Sequence, residues 1–133
     1  MPENTDTITE TITQTVDTHL AGYCEADPAR RRALLDQVWA ADGELVDPPL
    51  EGRGPEAIAA LVDTVLQHFP DHRFRRTSEV DVHHDHARYA WELVGPDGTV
   101  AVAGLDVATL DDDGRLTRII GFFGELPALA TAA

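Results

Sequence analysis

The chain has 133 residues and a formal net charge of −14, and its positive side consists of ten arginines with no lysine. Such a surface repels phosphate backbones and anionic lipid, so nucleic acid and membrane are poor partners. Without lysine a P-loop and Schiff-base chemistry are excluded, and the one serine, Ser78, has no G-x-S-x-G around it.

A single cysteine, Cys24, allows neither an internal disulfide nor a cysteine metal cluster. No run approaches the roughly 20 apolar residues of a membrane span, and no basic-then-apolar leader opens the chain. The expectation is one cytoplasmic domain over 1–133, with frayed tails at 1–6 and 127–133.

The first segment, TDTITETITQTVDTHLAGY, alternates threonines as a strand would. Ile8, Ile12, Val16 and Leu20 nevertheless recur every four residues, and Thr7 with Glu10 fits a capping box, so it is expected to be a helix. A second helix is capped by Asp27, carries Pro28 in its first turn, buries Leu34, Leu35, Val38 and Trp39, and ends at Gly43. Arg30 to Arg32 on it read as a solvated face.

A short strand then runs into Pro48-Pro49, with Leu45 and Asp47 on one face. Gly52 and Gly54 read as loop glycines, and Gly54-Pro55 opens a third helix. Ile58, Leu61, Val62, Val65, Leu66 and Phe69 face inward there, and Pro70 stops it.

Beyond Pro70 the period becomes two. Phe74, Arg76, Ser78, Val80 and Val82 share a face of one long strand, and Tyr89, Trp91 and Leu93 share a face of the next. GPDG and DDDG are turns separating two further strands. The last of these places Leu116, Ile120 and Phe122 on one side and Ile119 and Phe123 on the other. Apolar residues on both faces suggest a sheet with helices on one side and a second subunit on the other. The layout is α+β.

Several groups are candidates for chemistry. His83, His84 and His86 could present metal ligands, but no third ligand is identifiable from elsewhere and a polar hairpin turn collects the same residues, so no metal is expected. The aromatics Tyr23, Trp39, Phe74, Trp91, Phe122 and Phe123 are either core or the wall of an apolar cavity. Two carboxylates could serve such a cavity. Asp47 is one, if Leu45 faces the core. The other is Asp106, in the middle of an apolar strand, where an unpaired carboxylate is costly. An arginine such as Arg88 or Arg118 could instead pair with it. Gly104, two residues away, would leave space for a ligand.

From about Thr7 to Leu126 the chain resembles the nuclear-transport-factor-2-like superfamily, in its SnoaL-like polyketide-cyclase and ketosteroid-isomerase branch. The resemblance is carried by LLDQVWAADGELVDPPLEGRGPEAIAAL and DVATLDDDGRLTRIIGFFG. It implies a cone-shaped α+β barrel, three N-terminal helices over a curved, mostly antiparallel sheet, commonly as a homodimer. Ketosteroid isomerases carry a tyrosine on the first helix, an aspartate base before a proline, and a protonated aspartate on a later strand. Tyr23, Asp47 and Asp106 match these three, which makes them the expected catalytic residues. Trp39, Val62, Phe74, Trp91, Gly104 and Phe122 are the expected substrate contacts, with Val62 standing where those isomerases have a second tyrosine. The limonene-epoxide-hydrolase branch needs an Asp-Arg-Asp arrangement, for which Arg76 or Arg88 would be required.

The function expected is a cofactor-free acid–base enzyme, an isomerase or cyclase, acting on a small apolar carbonyl compound or secondary metabolite. The rival is a dimeric module of the same fold that binds a small ligand without turning it over.

Overall fold

The structure, a computed structural model, describes residues 5–130. Of the expected frayed tails, 1–4 and 131–133 lie outside the described residues, whereas Thr5 already belongs to the first helix and Leu126 and Leu129 are exposed.

Three helices, α1 (Thr5–Cys24), α2 (Pro28–Val38) and α3 (Pro55–His68), pack on one sheet. The strands are β1 (Trp39–Asp47), β2 (Leu50–Arg53), β3 (Arg73–Arg76), β4 (Asp81–His83), β5 (His86–Val94), β6 (Val100–Leu110) and β7 (Leu116–Phe123). Their order is β2-β1-β7-β6-β5-β3, with β4 also on β5; β1 runs parallel to β7 and the other pairings are antiparallel. The sheet is therefore mixed and curved, and it does not close between β2 and β3, so the expected cone is an open one. No helix among the described residues is long and apolar enough to cross a membrane.

The threonine-rich segment is helical, and its hydroxyls bond backward along the helix. Thr11, Thr13 and Thr15 donate to the carbonyls of Thr7, Thr9 and Thr11 at 3.0, 2.7 and 3.2 Å. The helix starts before Thr7, so Thr7 is an internal residue and the capping box with Glu10 does not form. Only the second half of the apolar stripe is buried: Val16 and Leu20, joined by His19 and Tyr23.

Asp27 caps α2 as expected, its side chain accepting from Ala29 and Arg30 N–H groups. The helix ends at Val38, five residues before Gly43, because Trp39 is already extended and opens β1. Gly43 has a packing role instead. A Cβ there would overlap the Trp39 ring and stand 2.9 Å from the Leu116 carbonyl. Arg31 is a second correction. Rather than facing solvent it is 3% exposed, and its guanidinium ties the α1–α2 connection to α3 by bonds to Glu25 O, Ala26 O and Asp63 Oδ1.

The glycine-rich segment after Asp47 contains the hairpin strand β2, in which Gly52 faces Leu61 and Ala57 of α3. Gly54, at φ 85, precedes the helix. The Pro48–Pro49 peptide between β1 and β2 is cis. The long strand expected after Pro70 is two short ones, β3 and β4. Around its interruption Thr77 N–H donates to Ala90 O while the Ser78 hydroxyl accepts from Ala90 N–H. GPDG and DDDG are turns, with Gly98 and Gly114 at φ 85 and 78.

Candidate active site

Four neighbouring strands build the site as a row across the sheet. Asp47 ends β1, Gly121 lies on β7, Asp106 on β6 opposite Gly121, and Tyr89 on β5 opposite Asp106. Leu45 and Asp47 do share the inner face, being 1% and 8% exposed. The row is tight because Gly121 has no side chain. A Cβ there would overlap Asp47 Oδ1 and stand 3.0 Å from Asp106 Oδ1. The two carboxylates thus converge on one backbone carbon.

Their surroundings differ. Asp106 is held at both oxygens: Trp91 Nε1–H donates to Oδ1 and the Tyr89 hydroxyl to Oδ2, each at 2.9 Å. Neither arginine considered for it is its partner, since Arg88 pairs with Asp81 and Arg118 with Glu44. Burial raises the Asp106 pKa to about 7, with the bonds from Tyr89 and Trp91 opposing the rise and the Asp47 charge adding to it. Asp47 has no hydrogen-bond donor among the described residues, its Oδ1 is a buried atom without a partner, and burial alone raises its pKa to about 6.

Asp47 lines a cavity of about 70 Å³. The aromatic walls are Tyr23, Phe74, Trp91 and Phe123, and the rest is Leu50, Val65, Leu93 and Val102. Tyr23 and Asp47 are the polar members of this set, and Asp106 is bonded to Trp91 of the wall without lining the cavity itself. Burial, then the charges of Asp106 and Asp47, push the Tyr23 hydroxyl pKa well above its usual value, so it keeps its proton. Larger hollows lie at the surface, one of 230 Å³ beside Asp81, His83, His86 and Arg88, whose polar walls are exposed.

Of the expected contacts, Phe74 and Trp91 line the cavity. Trp39 and Val62 are core residues, each 1% exposed; Trp39 donates its indole N–H to His19 Nδ1 at 3.1 Å. Gly104 does give up space, but to Trp91, whose ring a Cβ at 104 would overlap; the space is not left for a ligand. Phe122 points to the outer face at 58% exposure, and its neighbour Phe123 takes the cavity position by the alternation of β7. Arg76, considered for an Asp-Arg-Asp arrangement, is bound to Asp17 and Ser78 O, so among the described residues no arginine touches either carboxylate.

Three functional positions escape a reading of the sequence, and a fourth, Phe123, is legible there only as core or cavity wall. Tyr89 has the right parity beside Trp91, yet nothing local marks its partner. Gly121 does carry a signal, as glycine inside an apolar strand often marks close approach. Phe123 needed the correct face of β7. His19 is 1% exposed and packs against Tyr23 with ring centroids 4.6 Å apart. An indole N–H can only donate, so His19 Nδ1 accepts and the ring is neutral; burial lowers its pKa to about 3. The histidines of the hairpin are a turn: His83 pairs with His86 across His84 and Asp85. No group of three or more metal-ligating residues forms among the described residues.

Residues 20–119 match the model of the SnoaL-like domain. A putative isomerase of the SnoaL-like family from Agrobacterium tumefaciens superposes with a TM-score of 0.82 at 35% identity, over 87% of this chain and 99% of that one. A putative SnoaL-like polyketide cyclase from Jannaschia gives 0.71 at 17% identity, over 92% and 90%. A protein of unknown function with a cystatin-like fold from Methylobium petroleophilum gives 0.71 at 18%, over 93% and 82%. The last two show the fold alone. No curated protein matches the chain.

Proposed function

Because the chain belongs to the SnoaL-like family, we propose that it is a cofactor-independent acid–base enzyme, an isomerase or cyclase, acting beside the carbonyl of a small apolar compound. One observation carries this reading. Asp47 is a carboxylate 8% exposed, without a donor among the described residues, in an apolar cavity that it shares with the protonated hydroxyl of Tyr23.

A carboxylate with a pKa near 6 is a stronger base than a solvated one and is largely ionised at neutral pH. Asp47 takes a proton from the carbon next to the carbonyl, and the electron pair moves to the oxygen. Tyr23 donates a hydrogen bond to that oxygen as it gains charge. The enolate then recovers the proton from Asp47 at another carbon, which is isomerisation. In ring closure it attacks a second carbonyl instead, and Asp47 returns the proton to the new alkoxide. Asp106 has a positioning role, since its oxygens hold Trp91 and Tyr89 and it is not itself among the residues that line the cavity.

Size narrows the substrate. A cavity of about 70 Å³ is roughly half the 150 Å³ or so that accommodates benzene in an engineered core, so only the reacting end of a substrate enters. The rest emerges past Phe123, which is 46% exposed. We also propose pairing with a second copy through the outer sheet face, supported by Leu105 and Phe122, cross-strand partners that are 37% and 58% exposed.

Proton–deuterium exchange of small ketones and enones in D₂O, followed by NMR, tests the chemistry without knowledge of the natural substrate. Asp47→Asn is expected to lower exchange by about 10² to 10⁴. Tyr23→Phe is expected to lower it by about 10² to 10³. Exchange unchanged in Asp47→Asn removes Asp47 as the base, and ligand binding without exchange in the unaltered protein favours the binding module.

A further inference from the structure

The rings that line the cavity form a continuous chain of edge-to-face contacts. Tyr23 and Phe74 have centroids 5.0 Å apart, Phe74 and Trp91 5.4 Å, and Trp91 and Phe123 5.9 Å. Asp47 shares this enclosure, 8% exposed and, among the described residues, with no donor or cation bound to it. An ionised carboxylate taken out of water without a partner is costly, and the cost falls when a cation enters beside it. Aromatic walls favour a cation whose charge is spread over methyl groups, because such a cation is weakly hydrated and the ring faces are negative.

We propose that this cavity binds small methylated ammonium groups, of the trimethylammonium type, with Asp47 as their counter-ion and the four aromatic rings as their walls.

The size agrees, for a trimethylammonium head has four heavy atoms and the cavity holds only a group of about that bulk. Charge agrees as well. Among the described residues, the titratable groups that face Asp47 are Tyr23 from α1, Tyr89 from β5 and Asp106 from β6, none of them cationic. On the strands that flank β1, Arg53 of β2 and Arg118 of β7 are bound to Glu44. A net charge of −14 further enriches cations near the mouth. Binding needs Asp47 ionised, so it strengthens as pH rises through about 6 and releases a proton below that. The inference rests on Asp47 and Tyr23 lining the cavity and not on turnover. A bound cation would compete with a carbonyl substrate for the same space.

The test compares choline with its uncharged isostere 3,3-dimethylbutan-1-ol by calorimetry and NMR titration. Choline is expected to bind at least about tenfold more tightly, and Asp47→Asn to abolish that preference while still admitting the isostere. Phe74→Leu, which keeps the charge and removes one ring, is expected to weaken choline more than the isostere. Equal affinities in the unaltered protein, or a preference that survives Asp47→Asn, overturn the proposal; so does a lack of choline binding at millimolar concentration. Asp47-dependent deuterium exchange together with absent choline binding sinks this inference alone. Choline binding with no exchange sinks the catalytic reading alone.

Discussion

Replacing Asp47 by asparagine keeps the side chain's size and removes its charge, and the protein should become more stable at neutral pH. The folded-state pKa rises from 3.8 to about 6 through burial, which at about 1.4 kcal/mol per pK unit corresponds to about 3 kcal/mol. Below about pH 4 the carboxyl is protonated in both folded and unfolded chains, and the cost is absent. Between about pH 4 and 6 the folded chain holds a proton that the unfolded chain has lost, so stability falls as pH rises. Above that window the full cost is present. Asp106, raised to about 7, has the same sign, and because the Asp47 charge adds to that rise, removing that charge acts in the same direction. Urea unfolding from about pH 4 to about pH 8 reads the difference directly. The gain of Asp47→Asn should be near zero at the acid end and reach about 3 kcal/mol at the alkaline end. A variant less stable than the parent at about pH 8, or a gain independent of pH, would refute the claim that Asp47 is an uncompensated buried carboxylate.

Gly121→Ala forces a Cβ onto Asp47 Oδ1 and to 3.0 Å from Asp106 Oδ1. It should cost about 1–3 kcal/mol by thermal unfolding, as overpacking does. Tyr89→Phe removes the donor to Asp106 Oδ2. Carboxyl NMR should therefore show the Asp106 titration displaced upward, because that bond favours the charged form. Arg31→Met strips the donors from Glu25 O, Ala26 O and Asp63, and a loss of about 1–3 kcal/mol is expected by urea unfolding. Phe122→Asp should leave a smaller particle in sedimentation if the outer face pairs two copies. An unchanged size would remove that pairing.

The α+β layout, the three helices and strands β1, β5, β6 and β7 with their turns are legible in the sequence, because each depends on local periodicity and turn chemistry, whereas β2 and the break between β3 and β4 are not. The misreadings have a common cause. Gly43 resembles a helix stop, but the indole ring of Trp39 packs over it, which no local pattern reveals. Arg31 looks solvated among its neighbours, yet the carbonyls at the end of the α1–α2 connection and Asp63 converge on it. Choosing Phe122 over Phe123 was a question of which face of β7 is inward, and a strand apolar on both faces does not answer it.

Sequence by itself determined that Asp47 and Asp106 are out of place. One precedes two prolines with inward parity, and the other interrupts an apolar strand. Tertiary structure decided what each is. The pairing of β1, β7, β6 and β5 sets Gly121 between the two carboxylates and delivers Tyr89 and Trp91 to Asp106, leaving Asp47 with no donor at the wall of an aromatic cavity. Burial raises the pKa of both acids, that of Asp106 the more although two donors oppose it. What separates them is hydrogen bonding across strands distant in sequence, and that depends on register.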